Sequence, residues 1–560
     1  MSQNAKTQTR SVLLAFTVAL LAACGGERAG EEAGAAGEYP TLSGGPPGGT
    51  LIVMADREPD QLNPITFNST PAWQAVHLMF RPLARRDSTL SGYIPDLAKS
   101  WRLENDSTIV LELRNDVLWH DGRKVSAEDV VYTIDMQRNP ESASPRRADV
   151  AAVTSATARD SFTVEVRVNR TGLYTVNALL EVVPVPKHLL EGVSAAELRN
   201  APFGRNPVGN GFYKFGGWTA GQSLTMLVNA EKPDGRAAID RIVMRFLPDM
   251  NAAITELLTG GGDLIPKLPP THKARVEQSQ TAKVYNGPRV RPAWLAWNTS
   301  RAPLDDVRVR RAILMAIDRE TVVKAMFGDV GQPAWSWIPT VLREHSPDVR
   351  VTPYDTAGAR RLLEEAGWRD TNRDGILDRN GQPLRIEVEF ISSDLTRQDV
   401  LVTIQSMLRR VGVDVAPRAY ESTTWVSRLR EGTFAGSFWG WGWGPGVAGP
   451  NAQMILHSRS IPPNGPNFSR FRNARVDQLI DSILVVPDTT RARPLWRQLE
   501  QLVLDEVPYA PIYMDPELFG VHARFKNVKF RGVEWVEDVP YWYIDPDDRL
   551  PRDRRGPPSS

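Results

Sequence analysis

A single cysteine stands in 560 residues, which excludes an internal disulfide framework and a thiolate zinc cluster. Seven scattered histidines offer no multi-histidine metal site. Net charge is missing as well. The chain sums to +1, and since Lys6 and Arg10 are the only charges before Cys24, the remainder carries −1. That leaves no global field for gathering nucleic acid or an anionic membrane. No G-x-x-x-x-G-K-[ST] loop, G-x-S-x-G elbow or H-E-x-x-H pair occurs. What is present is 41% apolar and 24% charged residues with a mean hydropathy of −0.32. This is a folded chain, and at about 150 residues per domain it holds more than one. Sixteen tryptophans are the one excess.

The N-terminus reads as an address. Lys6 and Arg10 precede an apolar run from Val12 to Ala23, shorter than the roughly 20 residues a bilayer span needs. A basic start, a short apolar core and small residues before a break describe a secretory signal over residues 1–23. Leu21-Ala22-Ala23-Cys24 has the form of a bacterial lipobox, and the sole cysteine stands where a lipid would be attached. Cys24 is therefore the expected acylation site, with residues 24–49, rich in Gly, Ala, Glu and Pro, as a tether. The expected location is the periplasmic or extracellular face of the cell envelope.

Beyond residue 50 the pattern is mixed α/β. Thr50-Leu51-Ile52-Val53-Met54, Ser107 to Arg114 and Ser161 to Val168 read as strands. Ser126-Ala127-Glu128-Asp129 reads as a helix cap with acidic first-turn residues. Trp73 to Phe80, Asp306 to Asp318, Thr356 to Ala366, Arg397 to Val411, Arg475 to Leu484 and Arg491 to Leu504 have helical spacing. Gly444 to Gly449 matches G-x-G-x-x-G, but Pro445 breaks the turn and Ser469 and Arg470 stand where the ribose acid should be. Glu387 and Glu389 share one face of a strand from Arg385 to Phe390, and they read as a solvated sheet face. Asp370 to Asp378 has the oxygen spacing of a calcium loop, yet its twelfth position is Gly381, so an Asx-rich turn is the plainer reading. No metal and no cofactor is expected.

Several blocks carry a family resemblance. Leu111-Glu112-Leu113-Arg114-Asn115-Asp116-Val117-Leu118-Trp119-His120-Asp121-Gly122, followed by Ser126-Ala127-Glu128-Asp129-Val130-Val131-Tyr132, resembles the signature of family 5 extracellular solute-binding proteins, the receptors of ABC importers. Pro95 to Trp101, Val183 to His188, Asn206 to Lys214, Asp306 to Ala312 and Pro508 to Tyr513 resemble further blocks in the family's order. The resemblance implies an α/β, two-lobed periplasmic-binding-protein clamshell with three domains, of the class II dipeptide/oligopeptide-binding type. Domain I would comprise 50–80, 205–290 and 512–548, domain II 81–204 and domain III 291–511, with a tail at 549–560. Hinges would fall near Arg289 to Pro292 and Val507 to Pro511. It further implies a non-enzymatic receptor, expected as a monomer, that closes on a solute and presents it to a membrane permease.

Peptide-binding members carry W-x-x-D-x-x-[DE]-P in domain III, where the first Asp pairs with the peptide amine. Aligning Trp443 and Pro450 with that pattern puts Gly446 and Gly449 at the acids. Trp439, Trp441 and Trp443 alternate around Gly440 and Gly442, so they share one face of a strand, where they pack in the core or stack on a ligand. Trp425, Trp294, Trp297, Trp335 and Trp337 are further candidates, with core packing the plainer reading. The resemblance adds Glu58 and Asn63 as ligand contacts from the other lobe. The expected ligand set is thus Glu58, Asn63, Trp425, Trp439, Trp441, Gly442, Trp443 and Gly446. Family frequency points to an oligopeptide, the tryptophan row and missing acids to an oligosaccharide or another neutral organic solute. A glycosidase-type enzyme would need two carboxylates facing across the cleft.

Overall fold

Val53 lies in a strand, Thr50–Ala55, whose side chains are nearly all buried, as an apolar run flanked on both sides demands. It pairs in parallel with Arg241–Phe246 and with Leu264–Ile265. The computed structural model describes residues 42, 44–87, 90, 92–443, 448–532 and 534–554. The signal-like segment, Cys24 and Gly446 lie outside these residues.

Three main sheets organise the described chain. The first has seven strands in the order Ala282–Asn286, Leu518–His522, Leu264–Ile265, Thr50–Ala55, Arg241–Phe246, Ser223–Val228, Tyr213–Thr219. The second is an antiparallel four-stranded sheet built from Ala98–Asn105, Thr108–Leu113, Thr163–Val168 and Val153–Asp160. The third runs Asp414–Tyr420, Arg385–Ile391, Gly436–Gly440, Pro292–Trp297, Tyr509–Met514. Among the described residues no helix is long and apolar enough to cross a membrane.

Local chemistry sets the elements. The Asp129 carboxylate accepts from the Ser126 backbone N–H at 2.9 Å, closing a capping box at the start of helix Ala127–Arg138. His120 accepts from the Gly209 N–H at 3.2 Å through Nδ1 and faces the Gly211 carbonyl at 3.3 Å through Nε2. Burial pushes its pKa down to about 4, so the ring is a neutral clip between two turns. Gly209 and Gly211 are obligatory there, because a Cβ on either would run into the backbone of Leu78–Phe80.

One expectation fails. Glu389 does not lie on a solvated face: it is fully buried and accepts from Arg428 Nε at 2.9 Å, because the helix Ser422–Glu431 covers that side of the sheet. Glu387, two residues earlier, stays half-buried beside Arg418.

The ends of the folded region are clamped. Asp263 accepts from the Ile52 N–H at 2.9 Å and from Arg524 at 3.0 Å, while Asp553 accepts from the Thr50 N–H at 2.8 Å and from Arg524 as well. All three charged side chains are buried, and they are paired as buried charges must be.

Candidate functional site

The chain leaves the seven-stranded sheet after Asn286, enters the five-stranded sheet at Pro292, and returns between Met514 and Leu518. The two crossings are bonded to each other: Asp515 N–H donates to the Arg291 carbonyl and Gly287 N–H to the Glu517 carbonyl, both at 2.9 Å. Only two short segments therefore join these sheets covalently, the arrangement a hinge requires.

Charged groups gather at the crossings. Arg291 is exposed and makes no ion pair among the described residues. Arg289 is half-buried, its Nη1 lacks a hydrogen-bond partner, and burial lowers its pKa. Burial raises the Glu517 carboxyl to about 7, opposed by Lys267 and Arg291 and reinforced by Glu534 and Asp515. Arg397 reaches Asp515 at 3.5 Å and lies against Gly440.

The tryptophan segment keeps its alternation past the end of its strand. Gly436–Gly440 pairs antiparallel with Pro292–Trp297, and the ladder continues through Trp441 N–H to the Pro292 carbonyl at 3.3 Å and Trp443 N–H to the Val290 carbonyl at 2.8 Å. Trp439, Trp441 and Trp443 thus share a side, and that side is the core. Trp439 packs edge-on against its cross-strand neighbour Trp294 at 5.5 Å and against Tyr509 at 6.1 Å. Trp443 meets Trp337 at 5.4 Å. Both are buried, while Trp441 is half-buried and touches Trp439 at 5.8 Å. Aromatic pairs at such distances stabilise a core beyond the area they bury. The opposite side carries Gly440 and the exposed Gly442, where the position a Cβ would take is 3.6 Å from the Arg291 guanidinium.

The other expected contacts have structural partners. Trp425 is buried and donates to Ser437 Oγ at 2.9 Å. Asn63 is buried, accepts from the Ile65 N–H at 3.0 Å through Oδ1, and leaves Nδ2 unpartnered. Glu58 is half-buried and accepts from Trp218 Nε1 at 2.7 Å and the Gly221 N–H at 3.0 Å, holding the turn between two strands of the first sheet. In the Asp370–Asp378 loop, Thr371 donates to Asp378 and Gly375 to Asp370, an Asx-turn network. No group of three or more His, Cys, Asp or Glu among the described residues is placed to hold a metal.

A cavity of about 320 Å³ escaped the sequence reading. It opens between the helix Thr70–Met79 and the segment 531–541, with Trp73, His77, Arg86, Glu181, Glu537 and Tyr541 in its wall. Glu537 closes a cluster of acids, Glu534, Glu537 and Asp538, which in sequence is indistinguishable from a solvated charge run.

Comparison with known proteins agrees with this architecture. The sequence profile of bacterial extracellular solute-binding proteins, family 5 Middle, matches residues 92–462. The oligopeptide-binding protein AppA of Bacillus subtilis is 25% identical over 543 residues, 95% of this chain and 98% of that one. Its structure in complex with a nonapeptide superposes with a TM-score of 0.72, covering 90% of this chain and all of the other at 24% identity. NikZ from Campylobacter jejuni in complex with Ni(L-His) gives a TM-score of 0.74 over 88% of this chain and 99% of its own, also at 24% identity. The fold is the two-lobed, three-domain α/β clamshell.

Proposed function

The chain belongs to family 5 of the bacterial extracellular solute-binding proteins, and on that premise we propose that it is the oligopeptide receptor of an ABC importer. Family members are periplasmic or extracellular binding proteins, and the chain's role is solute binding. The observation that carries the peptide reading is the glycine side of the tryptophan segment. Gly442 is exposed beside Arg291, which makes no ion pair among the described residues, and carries no side chain of its own over the main chain there. An extended peptide docks on such a strip through backbone hydrogen bonds, with a guanidinium at hand for a carbonyl or carboxylate oxygen. The indole faces of Trp439 and Trp443, which a sugar would need, are spent on the core.

In this reading the ligand bridges both lobes only when they are closed, and it shifts the population toward the closed form that a membrane permease recognises. No step of it is catalytic. The domains follow the sheets: 50–80 with 205–290 and the C-terminal strands, 81–204, and 291–511 extended to Met514. Cys24 bears the lipid that holds the receptor at the envelope, and the receptor acts as a monomer.

A thermal-shift screen tests the proposal, with pools of di- to pentapeptides in one arm and neutral oligosaccharides in the other. A ligand at 100 times its Kd adds about 2.7 kcal/mol, a shift of a few degrees in a chain of this size. Stabilisation by peptides is expected. Stabilisation by the sugar arm alone would replace the peptide with a neutral solute.

A further inference from the structure

We infer that the cavity between the helix Thr70–Met79 and the segment 531–541 receives a positively charged group of the bound peptide, with Glu537 as its counter-charge. The inference rests on the oligopeptide reading and adds the subsite that reading lacks, since the position aligned with the family's amine-binding acid is Gly446.

Charge accounting in the wall carries it. Each arginine of the cavity is already committed. Arg86 holds Glu181 in a two-pronged contact at 2.9 and 3.1 Å, Arg531 holds Asp538 at 2.6 Å, and Arg85 holds Asp96 at 2.7 Å. Glu181 also accepts from Tyr93, and Asp538 from the Arg531 N–H at 2.7 Å. Glu534, beside the cavity, accepts from Gln74 at 3.0 Å. Glu537 alone of these carboxylates has neither a hydrogen bond nor an ion pair among the described residues. Burial first, and then the neighbouring Asp538, Glu534 and Glu181, raise its pKa, while Arg86 lowers it.

The remaining polar chemistry also favours a donor. Burial pushes His77 down to about 3, so the ring is neutral. Its Nδ1 donates to the Trp73 carbonyl at 2.8 Å, which leaves Nε2 as an acceptor. Trp73, stacked on His77 at 3.8 Å, and Tyr541, whose ring carries the Arg531 guanidinium at 4.9 Å, add aromatic surface to the wall. Gly532 supports the carboxylate, because a Cβ there would collide with Glu537 Oε2. A cation entering this cavity meets an unpaired carboxyl group and a neutral imidazole, whereas an anion meets arginines that each already hold a carboxylate.

The cavity adjoins the crossings. Glu534 lies within the electrostatic influence of Lys267 and Arg291, and Arg291 touches the Gly442 position. On this inference a peptide laid along the glycine strip extends a charged end or side chain to Glu537.

Calorimetric titration of the full chain and its Glu537→Gln and Glu537→Asp variants tests the inference. The probes are four pools of synthetic tetrapeptides, with or without Lys and Arg, each with a free or an acetylated amino terminus. Glu537→Gln is expected to weaken binding of the pools carrying the recognised cation by about tenfold or more and to leave the acetylated pool without basic residues unchanged. Glu537→Asp should retain the preference for cationic pools. Loss confined to free amino termini identifies an α-ammonium as the occupant, and loss confined to Lys- and Arg-containing pools identifies a side chain. Wild-type binding of every pool by a folded Glu537→Gln chain would overturn the inference while leaving the peptide reading intact. Failure of the wild-type chain to bind any pool would overturn both, and the parent protein alone would reveal it.

Discussion

Trp496 donates a 2.6 Å hydrogen bond from its indole nitrogen to the hydroxyl of Tyr174, a residue 322 positions earlier in the chain. Tyr174 belongs to the helix Leu173–Leu180 that follows the four-stranded sheet, and Trp496 to the helix Thr489–Glu506 that packs with the five-stranded one. The hydroxyl in turn donates a hydrogen bond to Glu344 Oε1 at 3.4 Å, and all three side chains are buried. Two parts of the fold that share no strand are thereby held through one oxygen.

Tyr174→Phe removes that oxygen and strands the indole N–H in an apolar setting. The expected loss is about 1–2 kcal/mol. Urea denaturation checks it: the midpoint should fall with an unchanged m value.

Arg524→Ala leaves the buried carboxylates of Asp263 and Asp553 without their shared cation, although Arg552 still reaches Asp263 at 2.7 Å. Removing one partner of a buried ion pair typically costs about 3–5 kcal/mol. Thermal unfolding should register this as a large drop in Tm, with the first sheet losing protection earliest in hydrogen exchange.

Trp439→Ala and Trp441→Ala separate buried from half-buried packing. Trp439 packs on Trp294, Tyr509 and Phe468, and its truncation should cost about 3–5 kcal/mol. Trp441 has one ring contact and is half-buried, so about 1 kcal/mol is expected there. Paired denaturation should find stability hit much harder by the first substitution than by the second.

Glu537 gives the protein a pH signature. Burial first, then the neighbouring acids, raise its carboxyl from 4.5 to about 7, with Arg86 opposing. The unfolded chain ionises it near 4.5. Between these values the folded chain holds a proton that the unfolded one has lost, so stability falls as pH rises through the window. Denaturation of the peptide-free chain and of Glu537→Gln at pH 5 and pH 8 should show the parent losing stability relative to the variant as pH rises, a difference in which the opposing contributions of His77 and His120 cancel.

Much of the fold was legible because its signals are local. The Ser126 cap, the strand at Thr50 and the helix Thr356–Glu365 are fixed by neighbours within one turn or one period. The side on which a residue ends up is a tertiary matter. Glu389 alternates like a surface residue, and only the helix folded over it puts it inside. Trp439, Trp441 and Trp443 do share a face, as the alternation of two requires, but nothing in their spacing says that Trp294, Trp337 and Tyr509 wait on that face. Glu537 was least legible. Its significance lies in the pairing of the arginines around it, two of which, Arg85 and Arg86, come from a strand hundreds of residues earlier.

The clamp on strand Thr50–Ala55 bears on the order in which the fold closes. That strand is synthesised first, yet its neighbours arrive with Arg241 and Leu264, and the side chains that seal its end, Arg524 and Asp553, arrive last. Pairings so distant along the chain close slowly, because the intervening loop must be ordered before any contact rewards it. A partly synthesised chain therefore has no finished central sheet. The topology delays its own completion until the segment that carries Arg524 and Asp553 is in place.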